Sequence, residues 1–354
     1  MNKRCWETMK TNLVGMNRSD LEAYAQSIGE KPFRGRQLFS WIYAKGKADF
    51  AEMSDLAKAT RLKLAQVAEL GWMTLEQKAV SSASSSVKYL FRLGDGALIE
   101  SVYIPEAGRR TLCISSQVGC ALGCTFCATG ALGFRRSLTI GEIVDQVLQT
   151  ARDIGAQPTN IVFMGMGEPM VNYEATMAAA ALINDAEGIA IGHRHIVIST
   201  VGIPSAILRY ADEGQPFRLA ISLHSAIDEK RRQIVPIGRR HPLPELLNAV
   251  KYYAKKARRR PTFEYVLLAD FNDGEEDAAA LRRLAAEVPC KVNLIPYNPA
   301  LSGFGFRRPD DGQVARFAAW LAPLHAPVSV RWSKGTDIDA ACGQLAGKAI
   351  AHHR

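Results

Sequence analysis

From Thr111 to His325 the sequence alternates six times between a short apolar run and an amphipathic stretch of helical period. TLCISSQ is followed by TIGEIVDQVLQTARDIG, NIVFMGMG by EATMAAAALINDAEG, and RHIVIST by SAILRYADEG. RLAISLH then precedes ELLNAVKYYAKKARRR, TFEYVLLA precedes EEDAAALRRLAAEV, and KVNLIPYN precedes GQVARFAAWLAPLH. Strands that alternate with helices pair in parallel, because each helix carries the chain back to the starting edge. Right-handed crossovers then leave two α/β architectures: a curved, partial (β/α)6 barrel of TIM type, or an open doubly wound sheet. Thr139 and Glu142 are spaced as a capping box, so the first helix is expected to begin near Ile140. The segment CALGCTFCATG, residues 120–130, therefore joins the C-terminal end of the first strand to that helix. In parallel α/β folds this is the face where active-site groups gather.

Ahead of the repeating region the pattern is different. NRSDLEAYAQSIG, GRQLFSWIYAKG and SDLAKATRLKLAQVAELG have apolar residues at helical spacing, which predicts a small helical unit. From Leu75 the residues alternate as in antiparallel strands, with Asp95-Gly96 as a hairpin turn, and a boundary is expected between residues 76 and 90. The expected organisation is a helical accessory domain over 1–80, a β-hairpin extension over 81–110, the (β/α)6 core over 111–335 and a C-terminal segment over 336–354.

The chain has 354 residues, room for one large domain and a smaller one. The opening MNKRCWETMKTNLVG has no continuous apolar core of a secretory signal, and no later run reaches the roughly 18 apolar residues of a membrane span. The protein is read as cytoplasmic, without a membrane partner. Seven cysteines, an odd number concentrated around one loop, do not suit a disulfide framework and point to metal or redox roles. A net charge of +9 fits a polyanionic partner. KRRQIVPIGRR (230–240) and KYYAKKARRR (251–260) are either a nucleic-acid contact or solvated helix faces, and composition alone does not choose between them.

Cys120, Cys124 and Cys127 fall within eight positions. A structural zinc site takes four ligands, commonly from two separated CxxC pairs, and only one such pair is present. An iron–sulfur cubane is ordinarily held by four cysteines. Held by three, it keeps one iron open to a substrate or cofactor.

This C-x3-C-x2-C spacing, with Phe126 before the last cysteine, resembles the signature of the radical S-adenosylmethionine (SAM) enzymes. The resemblance implies a 4Fe-4S cluster on Cys120, Cys124 and Cys127 whose open iron holds the amino and carboxylate groups of SAM. It further assigns SAM contacts to Gly167 and Glu168 in GMGEP, to Ser199, to Ser222, Leu223 and His224 in ISLHS, and to Asn298 in IPYNP. A close-approaching glycine and a carboxylate for an ammonium suit that role. Each of the remaining polar residues, taken alone, would equally be a strand-end group satisfied locally.

SSQVGCALGCTFCATG, VNLIPYNP, TDIDAACGQLAG and the N-terminal PFRGRQLFSWIY resemble the RlmN/Cfr family of radical SAM RNA methyltransferases, RlmN-type members in particular. The activity implied is methylation of C2 of an adenosine in 23S rRNA, and of an adenosine beside the anticodon in some tRNAs. The ring carbon is electron-poor and cannot displace a methyl group from SAM, whereas a thiolate can. By the resemblance, Cys342 accepts the methyl from one SAM, and a second SAM supplies a radical that abstracts hydrogen from it. The carbon then adds to adenine, joining protein to RNA, Glu100 removes the ring proton, and Cys113 attacks the Cys342 sulfur to release the product and leave a disulfide. Read without the resemblance, Cys113 is also an ordinary buried strand thiol and Glu100 an ordinary strand carboxylate. Cys342, flanked by small residues and Gly343, suits a loop that presents sulfur to two partners. Cys5 and Cys290 are read as a terminal thiol and a small buried side chain.

Ala128-Thr129-Gly130 after Cys127 is the tripeptide of Cfr sequences, so C8 methylation of the rRNA adenosine stands as the alternative. A non-catalytic RNA-binding iron–sulfur protein is the reading from a different class. The family further implies an external electron donor such as flavodoxin, and the chain is read as a monomer.

Overall fold

A computed structural model describes residues 10–299 and 305–345; Cys5 and the last nine positions of the C-terminal segment lie outside them. The N-terminal unit opens with β1 (Thr11–Asn12), continues through α1 (Arg18–Ser27), α2 (Phe33–Phe39) and α3 (Lys58–Val67), and closes with β2 (Ala68–Glu69). β1 and β2 pair in parallel, tying the two ends of the unit together. Asn17 caps α1 in a reciprocal box with Asp20, which satisfies backbone donors that a helix start leaves free. A π-helical turn over Ser40–Ala44 extends α2 and buries Trp41, Ile42 and Tyr43.

The unit docks on the helix that follows the cysteine loop. A side chain at Gly141, in the first turn of that helix, would lie 1.9 Å from Trp72 Nε1 and 2.4 Å from the Val14 carbonyl, so only glycine permits this approach. Trp72 donates its ring N–H to the Val14 carbonyl at 2.7 Å and its backbone N–H to Asp145 Oδ2 at 2.7 Å.

Three antiparallel strands come next, β3 (Met73–Val80), β4 (Val87–Leu93) and β5 (Leu98–Glu106). Sheet structure thus begins at Met73, ahead of the boundary expected at residues 76–90. β3 is an edge strand whose residues after Met73 are almost all exposed, and a bulge at Glu76 shifts its register. With almost no buried face, its first residues carry no sharp apolar signal, and the strand reading began only at Leu75.

β5 pairs antiparallel with β6 (Arg109–Cys113), the first strand of the repeating region. A short antiparallel ribbon follows, β7 (Gln117–Gly119) with β8 (Phe134–Ser137), bracketing the cysteine loop and the single turn α4 (Ala128–Ala131). The sequence suggested only a loop there. α5 (Ile140–Ile154) begins where the capping box places it: Glu142 N–H donates to Thr139 Oγ1 at 3.2 Å and Thr139 N–H to Glu142 Oε2 at 2.8 Å. Ile143, Val144, Val147 and Leu148 on its inner face are at most 1% exposed. Each contributes roughly 1.5–3 kcal/mol of burial to the contact with the sheet.

The chain then runs β9 (Asn160–Phe163), α6 (Tyr173–Asn184), β10 (Ile196–Thr200), α7 (Pro204–Asp212), β11 (Arg218–Ser222), α8 (Asp228–Ile234) and α9 (Leu243–Ala257). It ends with β12 (Thr262–Leu267), α10 (Glu275–Glu287), β13 (Lys291–Pro296), α11 (Asp311–Trp320) and β14 (Val328–Val330). The ten-stranded sheet has the order β14-β13-β12-β11-β10-β9-β6-β5-β4-β3, parallel from β6 to β14. Parallel strands that follow chain order, joined by crossovers of one hand, put their helices on one face. That is the partial barrel; a doubly wound sheet would reverse its order at a switch point. β14 adds a seventh parallel strand that is too short, at three residues, to be read from periodicity.

Candidate functional site

The three cysteines stand at the C-terminal mouth of the barrel. Backbone bonds fix their loop: Cys120 N–H to the Gly133 carbonyl at 2.9 Å, Thr125 N–H to Ile234 at 3.0 Å, and Cys127 N–H to Cys124 at 3.1 Å. Burial pushes the Cys120 thiol up to about 11, and holds Cys124 and Cys127 above the ordinary thiol range, with each neighbouring thiol adding to the effect on Cys124. Such a trio ionises only with positive charge among the sulfurs, which bound iron supplies. Among the described residues no three Cys, His, Asp or Glu side chains converge tightly enough to grip a single ion.

Two cavities meet at Cys342. The first, of about 140 Å³, is lined by Cys127 and Phe126 on the cysteine loop and by Gly167, Glu168, Ser199, Ser222, His224 and Asn298 on successive strand ends. The second, of about 470 Å³, runs along β6, β13 and β14 and is lined by Cys113, Arg331 and Asn293 among others. Cys342 lines both. Ala128 N–H donates to the Gly343 carbonyl at 2.8 Å, and Thr129 Oγ1 donates to the carbonyl of Leu345, so the C-terminal segment is pinned to the cysteine loop.

Gly167 has φ +96°, and a side chain there would lie 2.5 Å from Gln117 Cβ. Its left-handed backbone turns Glu168 inward, where the carboxylate is 2% exposed. Glu168 accepts from Met170 N–H at 3.0 Å and Val201 N–H at 2.9 Å. Burial outweighs these bonds and raises its carboxyl to about 7. Ser199 and Ser222 hydroxyls lie 3.4 Å apart on adjacent strands. His224, at φ +58°, accepts at Nδ1 from Val266 N–H at 3.2 Å and meets the Phe126 ring edge-on at 4.8 Å. Burial first, then the Arg231 charge, lowers it to about 3, so its ring is neutral.

Asn298 donates to Ser333 Oγ at 2.8 Å, while its buried Oδ1 has no partner among the described residues. Glu264, on β12 and 4% exposed, likewise has an unpartnered Oε2 on the same cavity. Unsatisfied buried oxygens facing a cavity call for donors from a ligand. Hydroxyl and amino groups such as SAM carries fit that demand.

Two expected residues stand apart. Leu223 is fully buried and is not among the residues lining the first cavity; its N–H donates to the Glu264 carbonyl and its own carbonyl accepts from Arg231 Nε. Glu100, on β5, is 2% exposed and lines neither cavity at Cys342. It is 3.5 Å from Lys88 Nζ, which also donates to the Asp339 carbonyl, three residues before Cys342.

Two arginines escaped the sequence reading. Arg331 follows β14, donates its backbone N–H to the Leu294 carbonyl at 2.8 Å, and reaches Met164 Sδ at 3.7 Å. Cys342 first, then Glu264 and Cys113, hold its guanidinium charged, and it in turn opposes the burial that raises the Cys113 thiol to about 12. Nothing in its local sequence marks it. Arg231 belongs to the basic run 230–240, read as either an RNA contact or a solvated face, and is neither. It is fully buried, bonded to the carbonyls of Leu223 and Val201, and it counters the rise of the Cys124 thiol. Its neighbours Lys230 and Arg232 pair with Asp277 and Asp228.

Sequence and structure comparisons match this arrangement. Residues 11–70 match the profile of the ribosomal RNA large subunit methyltransferase N-terminal domain, and residues 114–282 that of the radical SAM superfamily. The chain is 45% identical to the dual-specificity RNA methyltransferase RlmN of Anaeromyxobacter dehalogenans, over 95% of its own length and 92% of that protein's. It is 45% identical to RlmN of Syntrophobacter fumaroxidans, over 92% and 95% of the two chains. The crystal structure of a radical SAM methyltransferase from Sphaerobacter thermophilus superposes with a TM-score of 0.91 at 42% identity, covering 95% of this chain and 99% of that one. Radical SAM enzymes use a 4Fe-4S cluster and SAM, for which the three thiols and the adjoining cavity have the fitting donor set. The chain belongs to the RlmN family of radical SAM RNA methyltransferases.

Proposed function

We propose that this enzyme methylates C2 of an adenosine in 23S rRNA, and an adenosine beside the anticodon of some tRNAs, by way of a methyl group carried on Cys342. The observation that carries this reading is that Cys342 lines both cavities, with Cys127 beside one and Cys113 beside the other. A methyl carrier has to face its donor and its acceptor, and a thiol between two chambers does so with a short side-chain rotation.

When bound, the cluster and two SAM molecules per turnover supply the methyl group and the one-electron chemistry that activates it. Cys120, Cys124 and Cys127 hold the cluster. Glu168, at the strand end closed by Gly167, receives the SAM ammonium, and Ser199, Ser222, His224 and Asn298 complete the enclosure, with Leu223 behind it holding the strand end through its bonds to Glu264 and Arg231. Cys342 Sγ is the nucleophile that takes the methyl. Glu100 removes the proton from the ring carbon, with Lys88 beside it at 3.5 Å. Cys113 as the thiolate then attacks Cys342 Sγ; the bond from that sulfur to the RNA-bound carbon breaks with its electron pair going to the carbon and adenine ring, the carbon takes a proton to become the methyl group, and a Cys113–Cys342 disulfide remains. Two electrons from an external reductant restore the thiols, and a flavodoxin-type donor reduces the cluster.

Nucleoside mass spectrometry of rRNA and tRNA treated with the reconstituted enzyme tests the regiochemistry. The expected product is 2-methyladenosine in both. 8-Methyladenosine would establish the Cfr-type reaction instead, and unmodified RNA with SAM cleavage intact would remove the RNA assignment.

A further inference from the structure

The barrel has a second rim, at the N-terminal ends of its strands, opposite the cysteine loop. Basic residues stand at nearly every strand entrance there. Arg109 and Arg110 open β6, His193-Arg194-His195 precede β10, and Arg218 opens β11. Arg258, Arg259 and Arg260 precede β12, Lys291 opens β13, and His325 lies just before β14. The strands between the two rims are three to six residues long, so the rims are separated by roughly 10–20 Å.

Several acidic groups on this rim are already engaged, while Glu106 lies opposite Arg109 in the β5–β6 register. Glu287 pairs with Lys251 at 2.6 Å, Asp212 with Lys256, and Glu213 with Arg209 at 2.6 Å. The entrance arginines are held instead by neutral acceptors. Arg110 Nε donates to the Gln157 carbonyl at 2.9 Å, Arg109 Nε to Thr111 Oγ1 at 3.0 Å, and Arg259 to the carbonyls of Gln215 and Pro216. Their positions are therefore fixed while their charges stay uncompensated by carboxylates among the described residues.

Below β12, β13 and β14 the rim is concave. A cavity of about 560 Å³ is lined by Arg260 from one loop, Arg282 and Arg283 from α10, and His325 from another, over a floor that includes Pro289 and Cys290. Among the described residues none of these three arginines forms an ion pair with a carboxylate. Three arginines and a histidine on the border of one hollow, whose remaining lining is largely apolar, suit an oxyanion with several acceptors, and above all a phosphodiester.

We propose that this rim, centred on the Arg260–Arg282–Arg283 hollow, is a second RNA-contact surface that grips the phosphate backbone of a long substrate away from the target adenosine. The proposal rests on the RNA methyltransferase reading above. An acidic protein that donates electrons is the less suitable occupant, because it would dock a strand's length from the cluster it must reduce. RNA carries phosphates along its whole length and reaches both rims at once. Such a grip selects for large folded RNA over isolated stem-loops carrying the same base.

The test compares the wild type with the combined variant Arg260→Ala, Arg282→Ala, Arg283→Ala, and with the lysine-for-arginine version at the same positions. Binding is measured against a long 23S rRNA transcript and against a short stem-loop containing the target adenosine, over a series of salt concentrations. The alanine variant should bind the long transcript at least about tenfold more weakly, with a salt-dependence slope shallower by about two. The lysine version should recover most of that affinity. Stem-loop binding and SAM cleavage should be unchanged in both, which shows that the barrel is folded. Wild-type affinity and slope for the long transcript would overturn the proposal, as would slower reduction by flavodoxin alone with RNA binding intact. A wild type that methylates neither RNA would sink the underlying reading instead, and the two failures are distinct.

Discussion

Ala128 donates its backbone N–H to the carbonyl of Gly343 at 2.8 Å, joining the residue after Cys127 to the residue after Cys342. On the mechanism proposed above, this bond ties the loop that would hold the cluster to the thiol that would receive the methyl. It also keeps the C-terminal segment at the barrel mouth, where Cys342 has the first cavity on one side and the second, with Cys113 and Arg331, on the other.

Replacing Cys113 with alanine separates formation of the protein–RNA adduct from its resolution. The Cys113→Ala variant should retain covalently bound RNA, visible as a nuclease-sensitive shift on a denaturing gel. Multiple turnovers without retained RNA would remove Cys113 from the resolving role.

Arg331 lines the second cavity with both thiols, and its charge favours the ionised form of Cys113. Cys113 is raised to about 12 by burial, and loss of the opposing Arg331 charge should raise it further. In Arg331→Met, alkylation of Cys113 by iodoacetamide, followed on its own peptide, should slow several-fold near neutral pH, and its rate profile should move to more alkaline pH. An unchanged profile would mean that the guanidinium does not act on this thiol.

Glu168 is raised to about 7, so its carboxyl is only partly ionised near neutrality in the absence of ligand. An ammonium favours the charged form, and binding therefore takes up the ionised fraction. SAM affinity measured calorimetrically from about pH 6 to about pH 8 should rise as pH rises through about 7, with a proton released on binding on the acid side. Glu168→Gln should bind more weakly and lose this pH dependence; a Gln variant with the wild-type profile would move the ammonium contact elsewhere.

At the interface between the N-terminal unit and α5, Gly141→Ala would push a methyl group into Trp72 Nε1 and the Val14 carbonyl. Overpacking of this kind costs about 1–3 kcal/mol. The variant should melt at lower temperature and bind RNA less tightly, while SAM cleavage by the cluster domain is retained. Unchanged stability would show that the interface is looser than these contacts require.

Much of this was legible in the chain itself. The capping box at Thr139 and Glu142, the six strand–helix units and the cysteine spacing all act through local geometry, and the α/β partial barrel follows from them. The start of β3 was placed two residues late because an exposed edge strand needs no strict apolar alternation, and the β7–β8 ribbon was missed because its two short strands pair residues fifteen to twenty positions apart, with the cysteine loop between them. At the site, the candidate residues came from the family resemblance, and the fold brings Gly167, Glu168, Ser199, Ser222, His224 and Asn298 to one cavity because each lies just at or after a parallel strand end. Arg231 and Arg331 were missed, because a buried cation is defined by what the tertiary fold brings against it. In sequence Arg231 is one charge among several in a basic run, whereas in the structure it lies fully buried beneath Cys124.

The central claim is that the Cys342 sulfur carries the methyl group on its way to adenine. The direct measurement is peptide mass spectrometry of anaerobically reconstituted enzyme incubated, without RNA, with SAM labelled in its methyl group. The account predicts one labelled methyl on the peptide containing Cys342, passed to adenosine when RNA is added. An enzyme that methylates RNA while that peptide stays unlabelled would contradict it.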